Sequence, residues 1–99
     1  MRSVRLQRKR GNVPRISYFY GIVISMPAND HDPPHFHIRY AEHKGRVVIE
    51  TGEVLPGADL PRRALRLVEE WRAAHIHDLL AAWSAVRDGR QPGTIDPLP

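Results

Sequence analysis

The period of the hydrophobic pattern changes once along the chain, at Leu60, and this change decides the class of fold. Before Leu60, apolar residues occur in short alternating runs, which are typical of β-strands. After it they recur every three or four positions and form one helical stripe: Ala64, Leu67, Val68, Trp71, His75, Leu79, Trp83 and Val86. A chain of 99 residues has room for one hydrophobic core. The pattern therefore predicts a single α+β domain, with a sheet followed by helical structure that packs on one of its faces.

The first half of the chain predicts a small, mostly antiparallel sheet of three or four strands. Residues 16–26 carry apolar side chains on both faces, which is typical of a central strand. The predicted elements are this strand at 16–26, a proline-rich break at 27–34, a strand at 35–40, a polar turn at 41–45, a strand at 46–50 and a short edge strand at 53–55. The edge strand could pair with a second copy, to give a homodimer, or with a partner protein, and the residues do not choose between them.

The helical stripe leaves the number of helices open. Pro61 suits a first helical turn, where its missing N–H costs nothing. Asp78 could cap a second helix after a break near residues 75–77, yet the stripe continues through that break. The sequence therefore predicts one kinked helix or two, with Trp71 and Trp83 as core anchors.

The positive charge is concentrated at the start of the chain. The formal net charge is +4, but residues 1–15 hold six Lys or Arg and no acid, which leaves nine basic residues against eleven acidic ones. We expect a basic, disordered leader at 1–13, a domain at 14–90 and an extended proline-rich tail at 91–99. The leader is expected to be solvated, and Arg8, Lys9 and Arg10 in it are candidates for contacts with nucleic-acid phosphates.

Several classes of protein are excluded by what the sequence does not contain. It has no cysteine, so disulfides, thiol catalysis and thiolate zinc sites are excluded. The longest apolar stretch, 18–28, is interrupted and too short to span a bilayer, and no apolar segment follows the first charges as it would in a secretory signal. We therefore expect a cytoplasmic protein without a membrane association.

Residues 30–40 contain the densest group of chemically capable side chains. Strand alternation separates an apolar set, Phe36, Ile38 and Tyr40, from a polar set, His35, His37 and Arg39. The two imidazoles are expected to project together, on the side of the sheet away from the tryptophans. His31 lies just before them, on a loop with Asp30 and Asp32.

One interpretation is a ribonuclease that needs no metal. His35 and His37 would be the acid–base pair, because an imidazole near its ordinary pKa can give or take a proton at neutral pH. Arg39 would stabilise the phosphate charge, His31 would orient or supply a third group, and Arg46 on the next strand would add a second cation.

A second interpretation is a metal-binding or partner-binding regulatory module without catalysis. His35 and His37 would bind a divalent metal such as zinc, with His31 or Asp30 as a third ligand. In a third interpretation the histidines serve only the fold, and the protein has no cofactor.

The segment Asn29–Tyr40 also resembles a known family. Together with Tyr20–Ile24, Gly52–Leu55 and Leu60–Trp71, it is similar to the bacterial domain-of-unknown-function family 4160, and the most specific part is the Asp-His-x-Pro-Pro-His-Phe-His string at residues 30–37. The resemblance runs from about Pro14 to Pro97. Members look like small cytoplasmic bacterial proteins, often encoded beside another short protein in an arrangement similar to toxin–antitoxin pairs. The resemblance therefore implies a partner protein from a neighbouring gene.

Overall fold

A computed structural model of the protein describes residues 13–99. The elements in chain order are β1 (Arg15–Phe19), β2 (Ile22–Ser25), β3 (His35–Tyr40), β4 (His43–Val48), α1 (Arg62–Ala74) and α2 (Ile76–Arg87). The four strands are antiparallel and adjacent in the order β1-β2-β3-β4. The predicted α+β fold, with a small antiparallel sheet and C-terminal helices, is confirmed.

The prediction of one central strand over 16–26 is wrong, because the chain reverses in the middle of that segment. Tyr20 and Gly21 have φ angles of 51° and 81° and connect β1 to β2. Positive φ at both central residues is what a two-residue hairpin turn with the correct twist requires. Each strand of the hairpin has its own buried face, and this produced the apparent two-sided pattern.

The predicted turn at 41–45 is also too long. Tyr40 pairs directly with His43, so that Ala41 and Glu42 alone form the turn. Residues 43–45 belong to β4, and the hydrophobic pattern hid them because Lys44 points to solvent and Gly45 has no side chain.

Irregular segments run along both outer strands of the sheet. Beside β4, the predicted edge strand at 53–55 is reduced to one isolated bridge between Val47 and Val54. Beside β1, the Ile95 N–H donates to the Ile16 carbonyl, and the Ser17 hydroxyl donates to the Ile95 carbonyl. The C-terminal tail therefore packs against the sheet, with Ile95 buried.

The helical region consists of two helices, which decides the alternative left open by the sequence. His75 interrupts the stripe between them with a φ of −132°, and Asp78 lies in the first turn of α2. Trp71 of α1 is fully buried and its indole contacts the rings of Phe19 and Phe36, as expected of a core anchor. Within residues 13–99, neither helix is long and apolar enough to cross a membrane.

The helices and the sheet enclose one core on one side of the sheet. The buried residues that form it include Ile22, Ile24, Phe36, Ile38, Val47, Leu60, Ala64, Val68, Trp71, Leu79 and Trp83. Arg72 is buried at its margin, where it donates to the Ile49 carbonyl and to the Glu69 carboxylate. The opposite side of the sheet carries His37, Arg39 and Arg46 of the predicted site.

Candidate functional site

The loop between β2 and β3 brings Asp30 to the start of β3. Asn29 has a φ of 69°, in the left-handed region that asparagine tolerates better than most residues, and it turns the chain just before Asp30. Two residues later, the Asp32 carboxylate accepts a 2.9 Å hydrogen bond from Arg87 at the end of α2. The loop is thereby held against the helical layer.

His35, the first residue of β3, is buried, with only 5% of its surface exposed. Its Nδ1–H donates to the Pro33 carbonyl at 2.9 Å, and because a carbonyl can only accept, Nδ1 carries the proton. The imidazole lies 5.3 Å from the Trp83 ring, centroid to centroid. The expectation that both imidazoles lie away from the tryptophans is therefore wrong for His35, because α2 packs against the end of β3.

Asp30 joins the two histidines of β3. Its Oδ2 accepts a 2.8 Å hydrogen bond from His37 Nε2 and lies 3.3 Å from His35 Nε2. The two imidazole centroids are 5.4 Å apart, and one potential ligand atom from each of the three residues lies within 4.8 Å of the others. We call Asp30, His35 and His37 the His–Asp cluster. The Asp30 and His37 side chains are 29% and 33% exposed, so the cluster is accessible from one side.

One nitrogen of the His–Asp cluster lacks a partner. His35 Nε2 is buried and forms no hydrogen bond with any residue of 13–99. With the proton on Nδ1, Nε2 carries a lone pair and lies 3.3 Å from Asp30 Oδ2, which is itself an acceptor. Two acceptors this close repel each other unless a hydrogen bond or a cation offsets the repulsion. The His–Asp cluster thus places an unpaired, buried ring nitrogen beside a carboxylate.

The structure does not bring His31 into this cluster. Its side chain is exposed, because the chain turns at Asn29 and directs Asp30 inward and the next residue to solvent. Asp32, also on the loop, is occupied by Arg87. Of His31 and Asp30, the two residues that the sequence offered as a third ligand, only Asp30 lies beside His35 and His37.

The side of the sheet opposite the core presents two rows of side chains. The strand register aligns Arg15, Ser25, His37 and Arg46 in the first row and Tyr18, Val23, Arg39 and Lys44 in the second. We call these eight residues the outer sheet face. Its four Lys and Arg side chains are exposed, and none of them forms a salt bridge within residues 13–99. Arg39 and Arg46 thus lie where the sequence placed them, on the same face as His37.

A groove of about 520 Å³ runs over part of the outer sheet face. His37, Arg39, Lys44 and Arg46 line it from the sheet, and residues 56–58 form a wall beside β4. The Arg46 guanidinium donates to the Pro56 carbonyl at 3.1 Å, which fixes that cation at the wall of the groove. The groove therefore connects the His–Asp cluster, through His37, with three cationic side chains.

One carboxylate marks the limit of this cationic surface. Asp59 accepts a 2.8 Å hydrogen bond from the Lys44 backbone N–H. That bond, with a smaller contribution from His43, lowers the pKa of Asp59 against the opposing effect of desolvation. Asp59 therefore stays ionised at neutral pH, and its negative charge disfavours a polyanion in the region of Asp59 beside Lys44.

Comparison with known proteins identifies the family of the chain. A family model described as Domain of unknown function (DUF4160) matches residues 21–84, about two thirds of the chain. The chain belongs to the DUF4160 family. The matched region contains β2, β3, β4, α1 and the whole His–Asp cluster, which confirms the resemblance found in the sequence. Searches of curated proteins and of solved structures gave no match.

Some residues of the candidate site were missed by the sequence reasoning. Lys44 was missed because the sequence predicts a turn at 41–45, although its spacing of two from Arg46 is typical of a strand. Arg15 and Tyr18 were missed because they reach the outer sheet face only when the chain reverses at Tyr20. The predicted phosphate contacts of the leader, Arg8, Lys9 and Arg10, lie outside the described residues.

Proposed function

We propose that the protein binds single-stranded RNA on the outer sheet face. The observation that carries this proposal is the segregation of charge. Residues 13–99 include ten basic and eleven acidic side chains, yet the eight side chains of the outer sheet face include Arg15, Arg39, Lys44 and Arg46 and no carboxylate. Such a local excess of cations attracts the phosphates of a nucleic acid and releases their counterions.

The spacing of the cations suits an extended backbone. Neighbouring strands of a sheet lie about 4.8 Å apart, and residues two apart on one strand lie roughly 7 Å apart. Arg39, Lys44 and Arg46 therefore present a compact set of charges, and Arg15 extends this set toward the opposite edge of the sheet. A single strand can lay successive phosphates across such a surface.

An exposed aromatic side chain favours a single strand over a duplex. Tyr18, on β1, is 55% exposed, and the Arg15 guanidinium lies 5.7 Å from the centroid of its ring. Exposed aromatics on an open sheet stack unpaired bases, which a duplex keeps inside its own stack. Tyr18 gives the outer sheet face one such platform.

The catalytic form of the proposal is a ribonuclease in which His37 transfers a proton and Arg39 stabilises the phosphate charge. His37 is the only member of the predicted acid–base pair that can reach a strand on this face, because His35 is buried against Trp83. His31 lies on the loop at the end of the face and is exposed. We therefore propose binding as the primary function and cleavage as its extension, measured as RNA integrity during expression.

We further propose that the protein acts in the cytoplasm together with a protein encoded by a neighbouring gene, as toxin–antitoxin pairs do. The lack of cysteines suits a reducing compartment. Expression with and without the neighbouring gene product, with growth and RNA integrity as the readouts, tests this part of the proposal.

The binding proposal is tested by fluorescence anisotropy with a labelled RNA of about 12 nucleotides, a length within the site sizes of single-strand binding proteins. The full chain is compared with a triple variant of the outer sheet face that carries R39Q, K44Q and R46Q. We expect the variant to bind at least about tenfold more weakly. We also expect the slope of log affinity against log salt to fall by about 2, as three lost phosphate contacts require.

The matched control removes three charges from the other side of the molecule. Arg62, Arg63 and Arg66 are exposed on α1, and their triple replacement by Gln changes the net charge by the same amount. We expect this control to bind RNA within about twofold of the unchanged chain, because its charges lie behind the core. Equal losses in the two triple variants, or no loss in either, would overturn the proposed interface.

A further inference from the structure

We propose that Asp30, His35 and His37 form a binding site for one divalent transition-metal ion of the zinc type. This inference is independent of RNA binding, since it rests on the geometry of the His–Asp cluster alone. The third ligand in this site is Asp30 and not His31.

His35 provides the most specific argument. Its Nδ1–H is held by the Pro33 carbonyl, which leaves Nε2 as the nitrogen available for coordination. A backbone carbonyl on the far nitrogen is the usual way in which proteins orient a metal-binding imidazole. Nε2 itself is buried and has no hydrogen-bond partner within residues 13–99, although it lies 3.3 Å from Asp30 Oδ2. A metal ion at this point would satisfy the nitrogen and the carboxylate together.

The distances are close to those of a first coordination shell. With bonds of about 2.0–2.1 Å, the ligand atoms of a tetrahedral zinc ion lie about 3.3 Å from one another. Asp30 Oδ2 is 3.3 Å from His35 Nε2 and 2.8 Å from His37 Nε2. All three ligand atoms lie within 4.8 Å of one another, and the half-buried His37 ring has room to adjust.

The chemistry of the ligands indicates the class of metal. Two imidazoles and one carboxylate bind zinc or non-haem iron and leave coordination positions open. Calcium and magnesium prefer oxygen ligands, so a site with two nitrogens disfavours them. Among the three residues of the His–Asp cluster, His37 lines the groove, so the cluster borders that groove.

A second histidine offers a useful contrast. His43 also has a buried nitrogen, Nδ1, without a hydrogen-bond partner within residues 13–99. Its two neighbouring carboxylates, Glu42 and Asp59, lie 3.6 Å from opposite nitrogens of the ring. Groups on opposite sides of one imidazole cannot share an ion with it, so His43 serves as a control and not as a site.

The test is a titration of the untagged full chain, first stripped with a chelator, with Zn²⁺ by calorimetry and with Co²⁺ by visible absorption. We expect about one equivalent of metal per chain, and a Co²⁺ absorption band typical of a low coordination number. Saturation with zinc should raise the melting temperature by several degrees, because a ligand that binds only the folded chain stabilises it. The rise also tests the site in the unchanged sequence, without reliance on any variant.

Asp30→Asn and His37→Gln are expected to weaken zinc binding at least about a hundredfold, since each removes one of three ligands. The controls His31→Gln and His43→Gln should bind within about twofold of the unchanged chain. Circular dichroism confirms that each variant is folded, and His35 is left unchanged because its side chain is buried. The proposal is overturned if the unchanged chain takes up no zinc and shows no rise in melting temperature. It is also overturned if His31→Gln loses as much affinity as Asp30→Asn.

Discussion

His37 of β3 pairs directly with Arg46 of β4. His37 therefore belongs both to the His–Asp cluster and to the outer sheet face. On one side its Nε2 contacts Asp30, and on the other its strand position places it beside Arg46 and Ser25. If both proposals hold, changes at His37 should affect metal binding and RNA binding together, whereas changes at Asp30 should affect only metal binding and changes at Arg39 only RNA binding.

Tyr18 should contribute to RNA binding through its ring. We expect Tyr18→Ala to lower the affinity for single-stranded RNA roughly fivefold to a hundredfold, because stacking on an aromatic contributes about 1–3 kcal/mol per base. Tyr18→Phe keeps the ring and should bind within about threefold of the unchanged chain. Anisotropy at fixed salt measures both. If Tyr18→Phe binds as weakly as Tyr18→Ala, the hydroxyl and not the stack is the contact.

The leader should add affinity without specificity. We expect the triple variant R8Q, K9Q and R10Q to bind RNA more weakly and to lower the salt slope by about 2, by the same counterion argument as the sheet variant. It should leave zinc binding unchanged, because it replaces none of the three proposed ligands, Asp30, His35 and His37. A leader variant with unchanged RNA affinity at low salt would limit the interface to the sheet.

The C-terminal tail should be part of the cooperative fold. Ile95 is buried, and the Trp71 indole donates to the Asp96 carbonyl at 2.8 Å. We expect Ile95→Ala to lower the free energy of unfolding by about 2–4 kcal/mol, as for other large-to-small core replacements. Leu98→Ala, at a half-buried position, should cost less than about 1.5 kcal/mol. Urea unfolding measures both, and a cost below about 0.5 kcal/mol for Ile95→Ala would exclude the tail from the core.

The pair of Glu69 and Arg72 should make stability depend on acid pH. Hydrogen bonds from the Arg72 guanidinium lower the pKa of Glu69, against the opposing effect of desolvation. A carboxyl whose pKa is lower in the folded chain stabilises it fully above the unfolded pKa of about 4.3, and this contribution is lost as the pH falls through the lower folded pKa.

We therefore expect Glu69→Gln to cost about 1–2 kcal/mol at pH 7 and progressively less below about pH 4. The figure is modest because the Glu69 side chain is 53% exposed and solvent screens the pair, although Arg72 is buried. The neighbouring Glu70→Gln should change stability by less than about 0.5 kcal/mol. Denaturant unfolding at several pH values tests this, and a Glu69→Gln cost that stayed constant down to pH 3 would contradict the assignment.

The helices were predictable because their pattern is local. Ala64, Val68 and Trp71 recur at helical spacing and all face one core. The hairpin at Tyr20 and Gly21 was not predictable, because its two-residue turn lacks the Asn-Gly or Asp-Gly pair that is typical of such turns. Without that signal, two strands with separate buried faces look like one strand buried on both.

The candidate site divides in the same way. The proximity of His35 and His37 follows from the alternation of a strand and was expected. The choice of Asp30 over His31 was not predictable, because it depends on the backbone angle at Asn29. It depends also on a contact between Asp32 and Arg87, which are 55 residues apart. Contacts over such a separation leave no trace in local spacing.

The segments that flank the sheet limit how another protein could associate with this one. The Val48 N–H donates to Glu53 and the Leu55 N–H to Arg46, while the tail bonds to Ile16 on the far side. On β4 the hydrogen-bonding groups that a visiting strand would need are thus largely engaged by the chain itself, and on β1 the tail occupies the Ile16 carbonyl. A second copy or neighbouring-gene product that met β4 would therefore have to recognise side chains. A protein that bound the outer sheet face would compete directly with the proposed RNA ligand, so binding of the protein would release the RNA.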